Sequence, residues 1–151
     1  MSYSTTSEVR EMVKGDALNV IIGDAFIEDP AQREELVIPI IEAAIEDADG
    51  EIDGYLAKRY AVPISPVPKV INKFSKDIAV YNLFSRVGID EGSEAKNYLN
   101  RYNAAIKFFT LVAAGTVSIG ASADDPKTAA ATGFAVKSSP RLFNRDTLRG
   151  M

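Results

Sequence analysis

Three long stretches of this sequence place apolar residues at the spacing of an α-helix. The first continues to about Tyr60, and its apolar positions are Ile41, Ile45, Ala48, Ile52, Tyr55 and Leu56. A repeat of three or four residues puts such side chains on one face of a helix, where they can pack against a core. Helices of this kind must bury their apolar face against one another, so the pattern predicts a mainly α-helical protein.

The second and third long helices follow a proline-rich stretch. The second is predicted from about Pro68 to between Arg86 and Gly88, and the third ends at Gly115. Their apolar positions are Val70, Ile71, Phe74, Ile78 and Tyr81, then Tyr98, Tyr102, Ala105, Ile106, Phe109, Val112 and Ala113. Three amphipathic helices can close a small bundle.

Capping signals predict two short helices before the bundle. Thr5 and Glu8 have the spacing of a capping box, in which each residue satisfies a free backbone amide, and they start a helix over about residues 6–14. Asp16 to Ile22 gives a second capped apolar turn, which ends at Gly23. The bundle is therefore expected to carry short N-terminal helices.

Prolines mark the start of the longest helix and the connector after it. Asp29-Pro30 is a capping residue followed by a proline, the order expected where a helix begins. Pro39 leaves two geometries open: it lies near the helix start, or it kinks the helix by removing a hydrogen bond. Residues 61–68 contain three prolines and are predicted to form an ordered, extended connector.

Beyond Gly115 the helical period disappears, and small or polar residues dominate. Apolar anchors reappear only at Phe134, Val136, Leu142, Phe143 and Leu148. A segment with so few apolar side chains cannot build a core alone. We therefore expect a helical bundle domain over residues 1–115 and an extended C-terminal arm over residues 116–151, with room in the arm for short β-strands.

The charges of the two parts are opposite. Residues 126–151 hold five basic residues against one acidic residue, a net charge of +4. Because the net charge of the whole chain is −4, residues 1–125 carry a net charge of −8. An acidic body with a basic tail favours pairing between copies or with a partner. The candidate inter-subunit acidic face is a stripe on the longest helix: Glu42, Glu46, Asp49 and Asp53.

The basic arm carries arginines at every fourth position, interleaved with apolar residues. This pattern can contact phosphates, or it can dock on an acidic protein with apolar anchors between the charges. We favour protein docking. The predicted partner-binding residues are Arg141, Leu142, Phe143, Arg145, Leu148 and Arg149.

The chain contains neither cysteine nor histidine. The first absence excludes thiolate catalysis and zinc–thiolate sites, and the second removes the commonest general base. The run from Asp47 to Asp53 superficially suggests a calcium loop, but an EF-hand needs Gly and Glu where this sequence has Ile52 and Lys58. We expect no enzymatic activity, no metal and no cofactor.

No apolar run approaches the length of a membrane span. The longest ones, Leu36 to Ile41 and Phe108 to Ala114, are far shorter than the roughly 20 residues required. The N-terminus also lacks a basic-then-apolar export signal. We expect a protein that is made in the cytoplasm and has no membrane partner.

Residues 43–63 resemble the signature of a structural protein family of Mu-like bacteriophages. The signature is an alanine-rich acidic helix followed by Ile-Asp-x-Tyr-Leu-x-x-Arg-Tyr-x-x-Pro, which here begins at Ile52 and ends at Pro63. Further matches are Asp77-Ile78-Ala79-Val80-Tyr81, Arg101-Tyr102 with Ala105-Ile106, and the closing run from Arg141 to Arg149. Asn144 departs from the small residue expected there, and residues 121–132 match no pattern.

The resemblance implies a virion structural protein similar to phage head–tail connectors, also called adaptor or head completion proteins. Such a subunit forms a homo-oligomeric ring, a dodecamer by resemblance, in the neck of the virion. It binds the portal protein on one side and tail or neck proteins on the other, and DNA passes through its channel without sequence-specific binding. The alternative is a DNA-packaging accessory protein that binds DNA through its basic C-terminal tail.

Overall fold

The computed structural model describes residues 2–23, 27–89 and 96–120, and over these ranges the chain is helical and contains no β-strand. The helices are α1 (Thr6–Met12), α2 (Ala17–Ile22), α3 (Pro30–Leu56), α4 (Lys69–Ser85) and α5 (Lys96–Ala113). This confirms the predicted mainly α-helical fold, with three long helices and two short N-terminal ones. The remainder of the predicted arm, residues 121–151, lies outside the described residues.

Local capping sets the starts of α1 and α3 where the sequence predicted them. The Thr5 backbone N–H donates to Glu8 Oε2 at 2.8 Å, and the Glu8 N–H donates to Thr5 Oγ1 at 3.4 Å, which completes the capping box. At the start of α3, the Asp29 carboxylate accepts from the Ala31 N–H at 3.0 Å. These bonds satisfy amides that the first helical turn leaves free.

Two features of α3 differ from or refine the prediction. The helix ends at Leu56, about one turn before the predicted end near Tyr60. The reason is a tight turn, because the backbone N–H groups of Arg59 and Tyr60 both donate to the Leu56 carbonyl. Pro39 lies inside α3, exposed to solvent, and the helix continues through it.

The core forms where α3, α4 and α5 pack against one another, and α1 and α2 pack against α3. Its largest fully buried side chains come from all three long helices: Ile41, Ile52, Leu56, Ile71, Ile78, Leu83 and Phe109. Most of these positions belong to the apolar stripes found in the sequence. The predicted periodicity therefore identified the side of each long helix that faces the core.

Aromatic rings line the contact between α4 and α5. Tyr81 stacks on Tyr102 with ring centroids 4.1 Å apart, and Phe84 stacks on Tyr98 at 4.3 Å. The Tyr102 hydroxyl also donates to Glu51 of α3 at 2.9 Å. Burial is the main reason that the pKa of Tyr102 is raised to about 12, and this hydrogen bond is the second reason. Offset aromatic pairs add to simple burial, so this row of rings helps to fix the two helices side by side.

The chain stays on the bundle for several residues after α5. Gly115 has a φ of 84°, in the left-handed region that glycine adopts without strain. The Arg59 guanidinium lies against this turn, with Nη1 3.5 Å from the Val112 carbonyl oxygen. Ile119 is buried in the core. The packed part of the chain therefore reaches at least Ile119, within the first residues of the predicted arm.

Candidate functional site

An open groove of about 770 Å³ runs between α3 and the first residues of the chain. One wall is the N-terminal segment, residues 2–6, and the other is the acidic stripe of α3. All four residues of the predicted acidic face line this groove: Glu42, Glu46, Asp49 and Asp53. The structure thus brings the predicted residues together, but in a groove with a second wall that the sequence did not reveal.

The acidic stripe divides into two pairs with different surroundings. Glu42 and Glu46 are exposed, and no hydrogen bond or ion pair joins the side chain of either to another residue in the described ranges. Asp49 and Asp53 are half-buried and hold the N-terminal segment. The first pair is therefore available to an external cation, whereas the second contributes to the fold.

Asp49 accepts hydrogen bonds from three groups outside its own helix. The donors are Ser2 Oγ at 2.8 Å, the Tyr3 backbone N–H at 3.2 Å and Ser75 Oγ at 3.3 Å. Burial raises the pKa of Asp49 above its ordinary value, and the three hydrogen bonds oppose that rise. The carboxylate is thus a junction between the N-terminal segment, α3 and α4.

Tyr3 extends the same network from Asp53 to the proline-rich connector. Its hydroxyl donates to Asp53 and accepts from the Ile64 backbone N–H, the latter at 3.0 Å. The Tyr3 side chain is buried, and this burial raises the pKa of its hydroxyl. The hydrogen bond to Asp53 is the second cause of the rise. Beside it, Ser4 Oγ lies 2.9 Å from Ser75 Oγ in the interior. The N-terminal segment is therefore an integral part of the packed body.

Replacing Asp49 with asparagine is expected to change the pH dependence of stability. Because the folded-state pKa is raised, the folded chain binds a proton that the unfolded chain has lost. The contribution of Asp49 therefore falls as pH rises from the unfolded pKa through the folded one. Urea unfolding of both proteins between pH 4 and 7 should show Asp49→Asn gaining stability relative to wild type as pH rises. A constant difference across this range would contradict the raised pKa.

Gly50 leaves space within the groove. Apart from the adjoining residues and backbone of its own helix, a Cβ atom added there would meet no atom within 4 Å, and the same is true at Gly54, which lies one turn further along α3 outside the groove lining. No helix of the described ranges packs closely on this face of α3. Gly50 thus marks a place along the groove where a side chain from another molecule would fit.

A second charged cluster joins α4 to α5 around a buried carboxylate, and its two cations reach the surface. Asp77 is only 3% exposed, and its carboxylate lies 3.0 Å from Lys73 Nζ. Arg101 Nε approaches the other carboxylate oxygen at 3.1 Å, an ion-pair contact without hydrogen-bond geometry. Asp77 and Arg101 both lie in segments that carry the family resemblance. No sequence pattern pairs them, and in the structure their contact bridges the two helices.

The remaining predicted sites stand as follows. Residues 141–149 lie outside the described residues, so the partner-binding set in the arm stays a prediction: Arg141, Leu142, Phe143, Arg145, Leu148 and Arg149. In the ranges that the structure describes, no three acidic side chains are grouped so as to hold a metal ion. No helix of those ranges is both long and apolar enough to cross a membrane.

Comparison with known proteins agrees with the resemblance seen in the sequence. Residues 3–138 match the family described as Bacteriophage Mu, Gp36. The chain is also 29% identical over 139 residues to the Mu-like prophage FluMu protein gp36 of Haemophilus influenzae, an alignment that covers 92% of each chain. Because the family match spans nearly the whole sequence, this chain is a Mu-like phage protein and belongs to the Bacteriophage Mu, Gp36 family.

Proposed function

We propose that this protein is a head–tail connector, a head completion subunit that forms a ring in the virion neck between the portal protein and the tail. The observation that carries the proposal is the combination of an acidic groove on the helical body with a net basic C-terminal segment in one phage protein. Complementary surfaces at different places on the same chain join copies head to tail. Such contacts generate a ring when the rotation between copies closes.

The distribution of charge suits a channel for DNA. Residues 1–125 carry a net charge of −8, and a surface of that sign repels the phosphate backbone. A connector ring has to let DNA pass, so weak attraction between its body and DNA is an advantage. In this proposal the protein acts by assembling with other proteins, without catalysis or a cofactor. Its partners are its own copies, the portal protein and tail or neck proteins.

The first test is the mass of the purified protein, alone and mixed with its portal ring, measured by light scattering during size exclusion at two salt concentrations. A ring, or a complex with the portal, would support the connector proposal. A monomer that ignores the portal but is retained by DNA at low salt would overturn it in favour of the DNA-packaging accessory. In that case the affinity for DNA should fall steeply as salt rises, because bound phosphates release counterions.

Replacing both Phe143 and Arg145 with alanine is expected to abolish ring or portal-complex formation while leaving the helical circular dichroism signal unchanged. The pair combines an aromatic anchor with a charge, the residue types that contribute most to binding at interfaces. A matched control replaces Phe134 and Lys127, another aromatic and cation of the same segment, and should assemble normally. Assembly of the Phe143 and Arg145 variant at the wild-type level would count against the predicted contact set.

A further inference from the structure

We infer that the groove along α3 receives residues 141–149 of a neighbouring copy, so that the basic end of each chain lies against the acidic wall of the next. The inference rests on the proposed function, because it names the contact that would join connector subunits. It identifies the groove as the acceptor and the C-terminal segment of a second copy as its occupant.

Charge complementarity is the first argument for this occupant. Glu42 and Glu46 face the groove one helical turn apart, and no cation of the described ranges pairs with them. Residues 141–149 hold three arginines against one aspartate. Arginine is suited to such a contact, since its planar guanidinium can bind a carboxylate through two parallel hydrogen bonds.

Shape and apolar surface are the second argument. Ile45 and Gly50 of α3 and Pro63 of the proline-rich connector line the groove together with the acidic side chains. The open space at Gly50 is where an aromatic ring could lie against the helix backbone. Residues 141–149 place apolar residues, among them Phe143, between their arginines. The same segment can therefore fill the apolar part of the groove and neutralise its carboxylates.

Chain length and symmetry favour a neighbouring copy. The described chain ends at Gly120, and the 20 residues before Arg141 span at most about 70 Å when fully extended, which is enough to leave the body. If each segment filled the groove of its own chain, both complementary surfaces would be used up within one molecule. When the segment instead enters the next copy, every groove is filled and every segment is bound in a closed ring.

Engineered disulfides test this contact directly, because the chain has no native cysteine. One full-length protein carries Gly50→Cys and a second carries Phe143→Cys, and the two are mixed and oxidised, alone and with the portal ring. We expect a disulfide-linked heterodimer that forms about tenfold faster than in the matched mixture of Gly54→Cys with Phe143→Cys, since docking raises the effective concentration of one thiol at the other. Equal rates in both mixtures would overturn the inference.

A chain that carries both Gly50→Cys and Phe143→Cys distinguishes docking onto a neighbouring copy from docking within the same chain. Linkage only within single chains, with no heterodimer in the mixture, would overturn the contact between copies. Portal-bound rings without the disulfide would refute the groove while leaving the connector proposal intact. Heterodimers in a protein that ignores the portal would support the groove and count against the connector proposal.

A charge exchange provides a second test that needs no cysteine. Glu46→Arg and Arg145→Glu are each expected to reduce self-association at least about tenfold, and the two changes in one chain should restore it, because each single change places like charges together. Glu35→Arg, at an exposed position of α3 outside the groove lining, is the control and should leave association unchanged. Failure of the double variant to recover, with its helical signal intact, would argue against this pairing.

Discussion

Replacing Phe109 with alanine is expected to lower the free energy of unfolding by about 3–5 kcal/mol, the usual cost of removing a large aromatic side chain from a core. Phe109 is fully buried on α5, and its ring contacts rings of both other long helices. The centroid distances are 5.8 Å to Phe74 on α4 and 6.3 Å to Tyr55 on α3. Urea unfolding followed by circular dichroism measures the loss.

The neighbouring residue provides the control for this substitution. Phe108 is only half-buried and lies 4.8 Å from the Phe74 ring, so Phe108→Ala removes an aromatic contact at the edge of the core. Its cost should be clearly smaller than that of Phe109→Ala. Equal losses would mean that the packing of α5 does not depend on which ring faces inward, and that the described burial is wrong.

The fold was largely predictable because its strongest signals are local. Each of these signals involves residues that are close to one another in the sequence. They are the Thr5 and Glu8 capping box, the Asp29 cap before Pro30 and the apolar stripes of the long helices. The end of α3 was not predicted correctly. Tyr60 stands four residues after Leu56 and so fits the helical spacing, but the tight turn at Arg59 and Tyr60 ends the helix.

The site was predictable in part, because one of its two walls is a single helix. The spacing of Glu42, Glu46, Asp49 and Asp53 was enough to place four carboxylates on one side of α3. It was not enough to distinguish the exposed pair from the pair that binds the N-terminal segment. That distinction depends on Tyr3, which lies 50 residues from Asp53 in the sequence. A local sequence pattern cannot predict a contact between residues so far apart.

The ion pair between Asp77 and Arg101 was missed for a related reason. Asp77 stands next to Ile78 in the apolar stripe of α4, a position where an unpaired carboxylate would be costly. That cost was a usable signal for a nearby cation, and Lys73, four residues earlier on α4, has the spacing of such a partner. The second cation comes from another helix, and only the packing of α4 against α5 selects Arg101.

Replacing Tyr3 is expected to show that the N-terminal segment is part of the folded body. Tyr3→Ala should lower the free energy of unfolding by about 3–5 kcal/mol, because it removes a buried aromatic ring together with its hydrogen bonds. Tyr3→Phe keeps the ring and should cost about 1–3 kcal/mol, because the buried Ile64 N–H loses its acceptor and Asp53 loses a donor. Urea unfolding of wild type and both variants gives the order.

The two Tyr3 variants also connect the stability of the body with the groove. The N-terminal segment forms one wall of the groove, so its release in Tyr3→Ala should lower the rate of disulfide formation between Gly50→Cys and Phe143→Cys chains. Tyr3→Phe retains the packed ring and should lower that rate much less. A Tyr3→Ala protein as stable as wild type would contradict the described packing. If that variant were destabilised but cross-linked at the wild-type rate, the docking surface would be α3 alone, since the segment would contribute to folding and not to binding.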